Sequence, residues 1–92
     1  MSEKKALNTR IQGKVQGVFY RASTKEAADR LGVTGWVKNM PNGDVQAVFE
    51  ADPKTLERMI AWCWQGPEFS AVTQVTSREC DPEQFTDFQI RY

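Results

Sequence analysis

From Leu7 onward the chain alternates, with Leu7, Thr9, Ile11, Gly13 and Val15 on one side and Asn8, Arg10, Gln12 and Lys14 on the other. A period of two belongs to a strand with one buried face. The period then lengthens. Ala27, Ala28 and Leu31 form an apolar stripe that predicts a helix over roughly Arg21–Leu31, with Gly32 as its C-terminal stop. Ser23 and Glu26 stand at capping-box spacing, which offers a second start at Ser23 and would leave Arg21 in the preceding loop. Val33–Asn39 and Asp44–Ala51 read as two strands, and the turn chemistry of Met40-Pro41-Asn42-Gly43 between them predicts a hairpin.

Asp52-Pro53 then supplies an N-cap followed by a proline suited to the first helical position. Leu56, Met59, Ile60 and Cys63 recur at the spacing of a second amphipathic helix, which Gly66-Pro67 ends. Ala71–Arg78 reads as a further strand with weaker alternation. Beyond the turn-prone Asp81-Pro82-Glu83, Phe85–Tyr92 reads as a last one, with Phe88, Ile90 and Tyr92 set against Asp87, Gln89 and Arg91.

The order strand, helix, strand, strand, helix, strand, with a final strand, predicts an α+β fold. One-faced strands and two amphipathic helices imply an α/β sandwich, an open sheet containing antiparallel pairs with both helices on one face. This is the ferredoxin-like split βαβ arrangement. In it the first and third strands are expected to be parallel, with the second beside the third. At 92 residues the chain suits one domain spanning 1–92.

Charge and composition narrow the chemistry. Twelve basic and twelve acidic side chains cancel, which argues against nucleic acid as a partner. The chain has no histidine, and so lacks the commonest general base, metal ligand and partner of a nucleophilic Ser or Cys. Cys63 and Cys80 lie in no metal-binding spacing and are expected to be free thiols. Met1 to Lys5 is polar and charged, unlike a signal peptide, and no apolar run approaches the ~20 residues of a membrane span. A cytoplasmic location without membrane contact is the expectation. Small size without a large apolar stretch favours a monomer.

Within this frame one segment stands out, Gly13-Lys14-Val15-Gln16-Gly17-Val18-Phe19-Tyr20-Arg21. Its glycines allow tight turns and close backbone approach. The helix start behind it offers unpaired N–H donors and partial positive charge, and Arg21 adds a permanent cation. The combination reads as an anion cradle. By itself Arg21 also fits a solvated surface residue, although a cation at a helix N-terminus opposes the helix dipole at a cost of roughly 0.3–1 kcal/mol. Asn39 alone fits a strand end, and topology alone leaves its position relative to Arg21 open. Gln16 fits a solvated loop side chain. Trp36, Trp62 and Trp64 read as packing residues, and Lys38, Glu26, Asp29 and Glu57 as surface charges.

The Gly13–Arg21 segment resembles the first signature of the acylphosphatases. Gly35-Trp36-Val37-Lys38-Asn39, followed by Gly43 and Val45, resembles their second, and Phe88-Gln89-Ile90-Arg91-Tyr92 resembles the family's usual ending. The resemblance implies that Arg21 and Asn39 are catalytic, and that the loop of Val15, Gln16, Gly17, Val18, Phe19 and Tyr20 holds phosphate through backbone N–H groups. The implied reaction is hydrolysis of the carboxyl–phosphate bond of a small acyl phosphate, with no metal, cofactor or phospho-enzyme. Phe19 stands where many members carry a smaller residue, and Ala51 where the second signature usually ends in glycine. Phe19 therefore bears on substrate preference, and Ala51 on the turn into the second helix. Two rival readings share the fold. One is an anion-binding module without turnover. The other is an RNA-binding module, although Leu7–Ile11 and Val45–Phe49, the expected central strands, lack its aromatic cluster.

Overall fold

A computed structural model describes residues 3–92. Its elements are β1 (Lys5–Lys14), α1 (Tyr20–Leu31), β2 (Thr34–Asn39), β3 (Val45–Ala51), α2 (Pro53–Gln65), β4 (Ala71–Cys80) and β5 (Phe88–Arg91). The strands form one sheet in the order β4-β1-β3-β2-β5. Strand β3 lies between β1 and β2 and is antiparallel to both. The expected parallel pairing of first and third strands is therefore wrong. It is β1 and β2 that run the same way, because the tight turn reverses β3 against β2 while the α1 crossover leaves a gap one strand wide. Met40 and Asp44 close that turn with a backbone bond of 2.8 Å. Strand β5 joins β2 in parallel, placing Phe88 opposite Gly35.

The alternating positions of β1 and β3 place Ile11, Val45, Ala47 and Phe49 in one core with Ala27 and Ala28 of α1 and Leu56, Met59 and Cys63 of α2. Both helices thus cover the same face of the sheet. Phe88 brings β5 into this core by stacking on Phe49, with ring centroids 5.8 Å apart. Trp36 lies on the opposite face, with the cations of Lys38 and Arg91 over its ring at 5.9 and 4.8 Å from the centroid.

Helix α1 begins at Tyr20, earlier than either expected start. Ser23 donates its N–H to the Phe19 carbonyl at 3.0 Å, so it already lies inside the helix and caps nothing. Tertiary packing sets this boundary. The buried Tyr20 ring packs 5.5 Å from Trp62, and its hydroxyl donates to the Cys63 carbonyl at 2.7 Å. Burial pushes the Tyr20 phenol well above its ordinary range and the Cys63 thiol up to about 12. Cys63 and Cys80 are both free thiols.

Helix α2 starts as its sequence indicates. Asp52 caps it, accepting from the Thr55 N–H at 3.0 Å, a bond that holds its carboxyl below the usual range. Ala51 sits buried in the ladder opposite Lys5, so the turn into α2 depends on Asp52 and needs no glycine there. Strand β4 runs on to Cys80, whereas β5 begins only at Phe88. The N–H groups of Glu83 and Phe85 donate to the buried carboxylate of Glu50, which diverts this segment from the ladder. Among the described residues no helix is long and apolar enough to cross a membrane.

Candidate active site

Strands β1, β2 and β5 all run in one direction, so their C-terminal ends meet at one edge of the sheet. There β1 leaves the sheet through the glycine-containing loop. A register shift with β4 falls between Gln12 and Gly13, where a Cβ on residue 13 would strike the Ala71 carbonyl. The chain then passes Val15 and Val18, whose side chains are buried and anchor the loop in the core. Gly17, between these anchors, takes φ 74°, and Phe19, just beyond Val18, takes φ 62° as the helix N-cap. Left-handed residues interleaved with ordinary ones turn successive N–H groups toward one side, the geometry of an anion nest.

Phe19 has no side-chain oxygen to cap the helix, and no side-chain cap is made. Among the described residues, none of the N–H groups from Gln16 to Ala22 donates to a loop carbonyl or a side chain. These donors sit at the positive end of the α1 dipole and are suited to an oxyanion.

Arg21 stands in the first turn of α1. Its guanidinium donates to the Arg91 carbonyl at 3.3 Å and lies 4.6 Å from the centroid of the Tyr92 ring. It makes no ion pair with any described carboxylate. Asn39 closes β2 opposite Val45. It shares a cavity of about 250 Å³ with Arg21, Val15, Gly17, Phe19 and Tyr20, and with Ile90 and Tyr92 of the C-terminal segment. The topology thus brings together the two residues whose relative placement the sequence left open.

The side chains of Gln16 and Val18 do not line this cavity. Gln16 is also not the solvated loop residue expected of it. Its amide donates to the carbonyls of Met40 at 2.7 Å and Asp44 at 2.8 Å, tying the loop to the hairpin that follows Asn39. Sequence reasoning missed this tie because a glutamine before a glycine carries no local signal of a long-range bond. It also missed the contact of Tyr92 with Arg21. The only hint was the likeness of the terminal segment to the family's ending, which named no role.

Among the described residues no side-chain carboxylate, thiol or amine lines the cavity. The arrangement can neutralise and orient an anion, and can present an uncharged amide beside it. It offers no strong base.

A model of the acylphosphatase family matches residues 7–90. An acylphosphatase of Gloeobacter violaceus is 50% identical over 80 residues, which span 87% of this chain and 86% of that protein. The structure of an acylphosphatase from Coxiella burnetii is similar with a TM-score of 0.92 at 38% identity, over 96% of this chain and 93% of that one. The crystal structure of acylphosphatase from Bacillus subtilis gives 0.93 at 30% identity, over 96% of this chain and 99% of that one. With this match along nearly its whole length, the chain belongs to the acylphosphatase family.

Proposed function

We propose that this chain, acting as a single domain, hydrolyses the carboxyl–phosphate bond of small acyl phosphates, with Arg21 and Asn39 as its catalytic residues. The observation that carries the reading is the shared cavity of Arg21 and Asn39 beside the unbonded N–H groups of the Gln16–Ala22 segment. The loop N–H groups and the Arg21 guanidinium hold the three phosphoryl oxygens. The Asn39 side chain orients a water in line with the bond to be broken. As the water oxygen bonds to phosphorus, the bond from phosphorus to the carboxyl oxygen breaks, and both water protons end on the phosphate.

This division of labour suits the substrate. The leaving carboxylate has an ordinary pKa of about 4–5 and departs without a strong acid. Phosphoryl transfer through a loose transition state gains most from positioning and charge neutralisation, which a cation and fixed dipoles provide. An amide is no general base, and the phosphate itself can take up the protons. The scheme therefore needs no metal.

Two free thiols suit a reducing, cytoplasmic setting, and the small size of the domain suits a monomer. The test is turnover of acetyl or benzoyl phosphate by folded protein with excess chelator. Release of inorganic phosphate above background is the expected result. Tight binding of phosphate without turnover would favour an anion-binding module instead.

A further inference from the structure

We propose that Lys25 is a positioning residue of the site. It pins β5 to α1, and through β5 it fixes the Arg91 carbonyl and the Tyr92 ring that hold the Arg21 guanidinium. The proposal rests on the hydrolytic reading above and names a residue outside the cavity that serves it.

Arg21, Lys25 and Asp29 recur every fourth residue along α1 and therefore share one stripe of the helix. This stripe faces β5. Arg21 donates to the Arg91 carbonyl at 3.3 Å, and Lys25 Nζ donates to the Phe88 carbonyl at 3.0 Å. The helix thus grips the strand at both of its ends. Two cations at this spacing repel each other, which is a cost to the helix. Asp29 offsets it, because its carboxylate lies 3.0 Å from Lys25 Nζ and holds the ammonium where it meets Phe88.

Strand β5 needs such a hold. It has four residues and stands at the edge of the sheet, paired with β2 among the described residues. The Asp87 carbonyl accepts from the Gly35 N–H on the β2 side at 2.9 Å, so the next carbonyl, that of Phe88, turns to the open edge. An edge leaves such groups without a strand partner. The half-buried Lys25 supplies the donor, and a bond from an ammonium is charge-assisted. The Phe88 ring is fixed separately by stacking on Phe49. Ring and carbonyl together set the direction in which the strand runs on to Arg91 and Tyr92. Those two residues carry the contacts of the Arg21 guanidinium, so a swing of β5 moves that cation within the cavity it shares with Asn39. Lys25 does not line the cavity, and it acts on a bound phosphate through Arg21 alone.

The experiment measures the dissociation constant of inorganic phosphate by NMR titration, with kcat and KM for acetyl phosphate. It uses wild type, Lys25→Met, Lys25→Arg, Arg21→Ala and the double variant of Lys25→Met with Arg21→Ala. In Lys25→Met the phosphate constant and KM rise about three- to tenfold while kcat stays within about twofold of wild type. Lys25→Arg still donates to the carbonyl and stays near wild type. The loss persists in about 0.5 M salt, where the simple removal of a nearby charge would be screened. Once Arg21 is absent, Lys25→Met changes the phosphate constant no further. An unchanged constant in Lys25→Met, or an equal loss with and without Arg21, overturns the proposal while leaving the hydrolytic reading intact. Failure of wild type to hydrolyse acetyl phosphate removes that reading, and the phosphate titration still decides the role of Lys25.

Discussion

The Gln16 side-chain amide donates to the Met40 carbonyl at 2.7 Å, bridging the glycine-containing loop before α1 and the turn just beyond Asn39. This bond, with its partner to Asp44 at 2.8 Å, holds the two halves of the site in register. Asp44 is itself fixed, because its N–H donates to the Asn42 side chain at 3.0 Å. Without the bridge, the loop N–H groups and the Asn39 amide would be positioned by separate elements.

Replacing Gln16 with Ala should therefore lower both stability and kcat. Loss of two partly buried bonds costs about 1–3 kcal/mol, measurable by urea denaturation. Gln16→Glu should be worse than Gln16→Ala, since a carboxylate would face two carbonyl oxygens. Equal kinetics in wild type and Gln16→Ala would show that the bridge does not position the site.

The Tyr92 ring beneath the Arg21 guanidinium predicts a binding effect. Tyr92→Ala should raise the inhibition constant of inorganic phosphate about two- to fivefold, the range expected for an exposed cation–π contact. Tyr92→Phe retains the ring and should stay near wild type. A loss in Tyr92→Phe matching that in Tyr92→Ala would assign the effect to the hydroxyl instead.

Alkaline pH should destabilise the fold. The Cys63 thiol is raised from its ordinary 9.0 to about 12, chiefly by burial, and burial also raises the Tyr20 phenol. Above pH 9 the unfolded chain loses the thiol proton and the folded chain keeps it, so the unfolded state is favoured. The stability contribution is complete below pH 9 and drains away as pH climbs toward 12. Its slope is about 1.4 kcal/mol per pH unit for one group, and it steepens as tyrosine ionises in the unfolded chain. Denaturation of Cys63→Ala across this range should show a shallower slope. An identical slope would separate Cys63 from the effect.

Phe19→Asn should be more stable than wild type. Asparagine tolerates the left-handed region and its side chain can cap α1, together worth about 1 kcal/mol. Little packing is lost, because the Phe19 ring is mostly in solvent. A lower denaturation midpoint would mean that the ring supports the fold.

Much of this arrangement is legible along the chain. The Leu56, Met59 and Cys63 stripe and the Asp52 cap define α2 locally, and structure and sequence agree there. Where they part, long-range contacts decide. The Ser23–Glu26 signal gives way to burial of Tyr20, a residue whose partners Trp62 and Cys63 lie far away in sequence. Strand β5 is shortened because buried Glu50 takes the N–H of Phe85, which no periodicity reveals. Arg21 and Asn39 stand out as residues, but their meeting depends on β1 and β2 being parallel with β3 between them. The motif resemblance supplied that pairing where spacing could not.

The most direct test of the account is steady-state kinetics of Asn39→Ala beside Arg21→Ala, on one acyl phosphate with chelator present. Removing Arg21 should weaken binding, seen as a raised KM and a raised inhibition constant for inorganic phosphate. Removing Asn39 should lower kcat by a factor of roughly 10² or more while KM stays close to wild type. A kcat in Asn39→Ala equal to that of wild type would contradict the account.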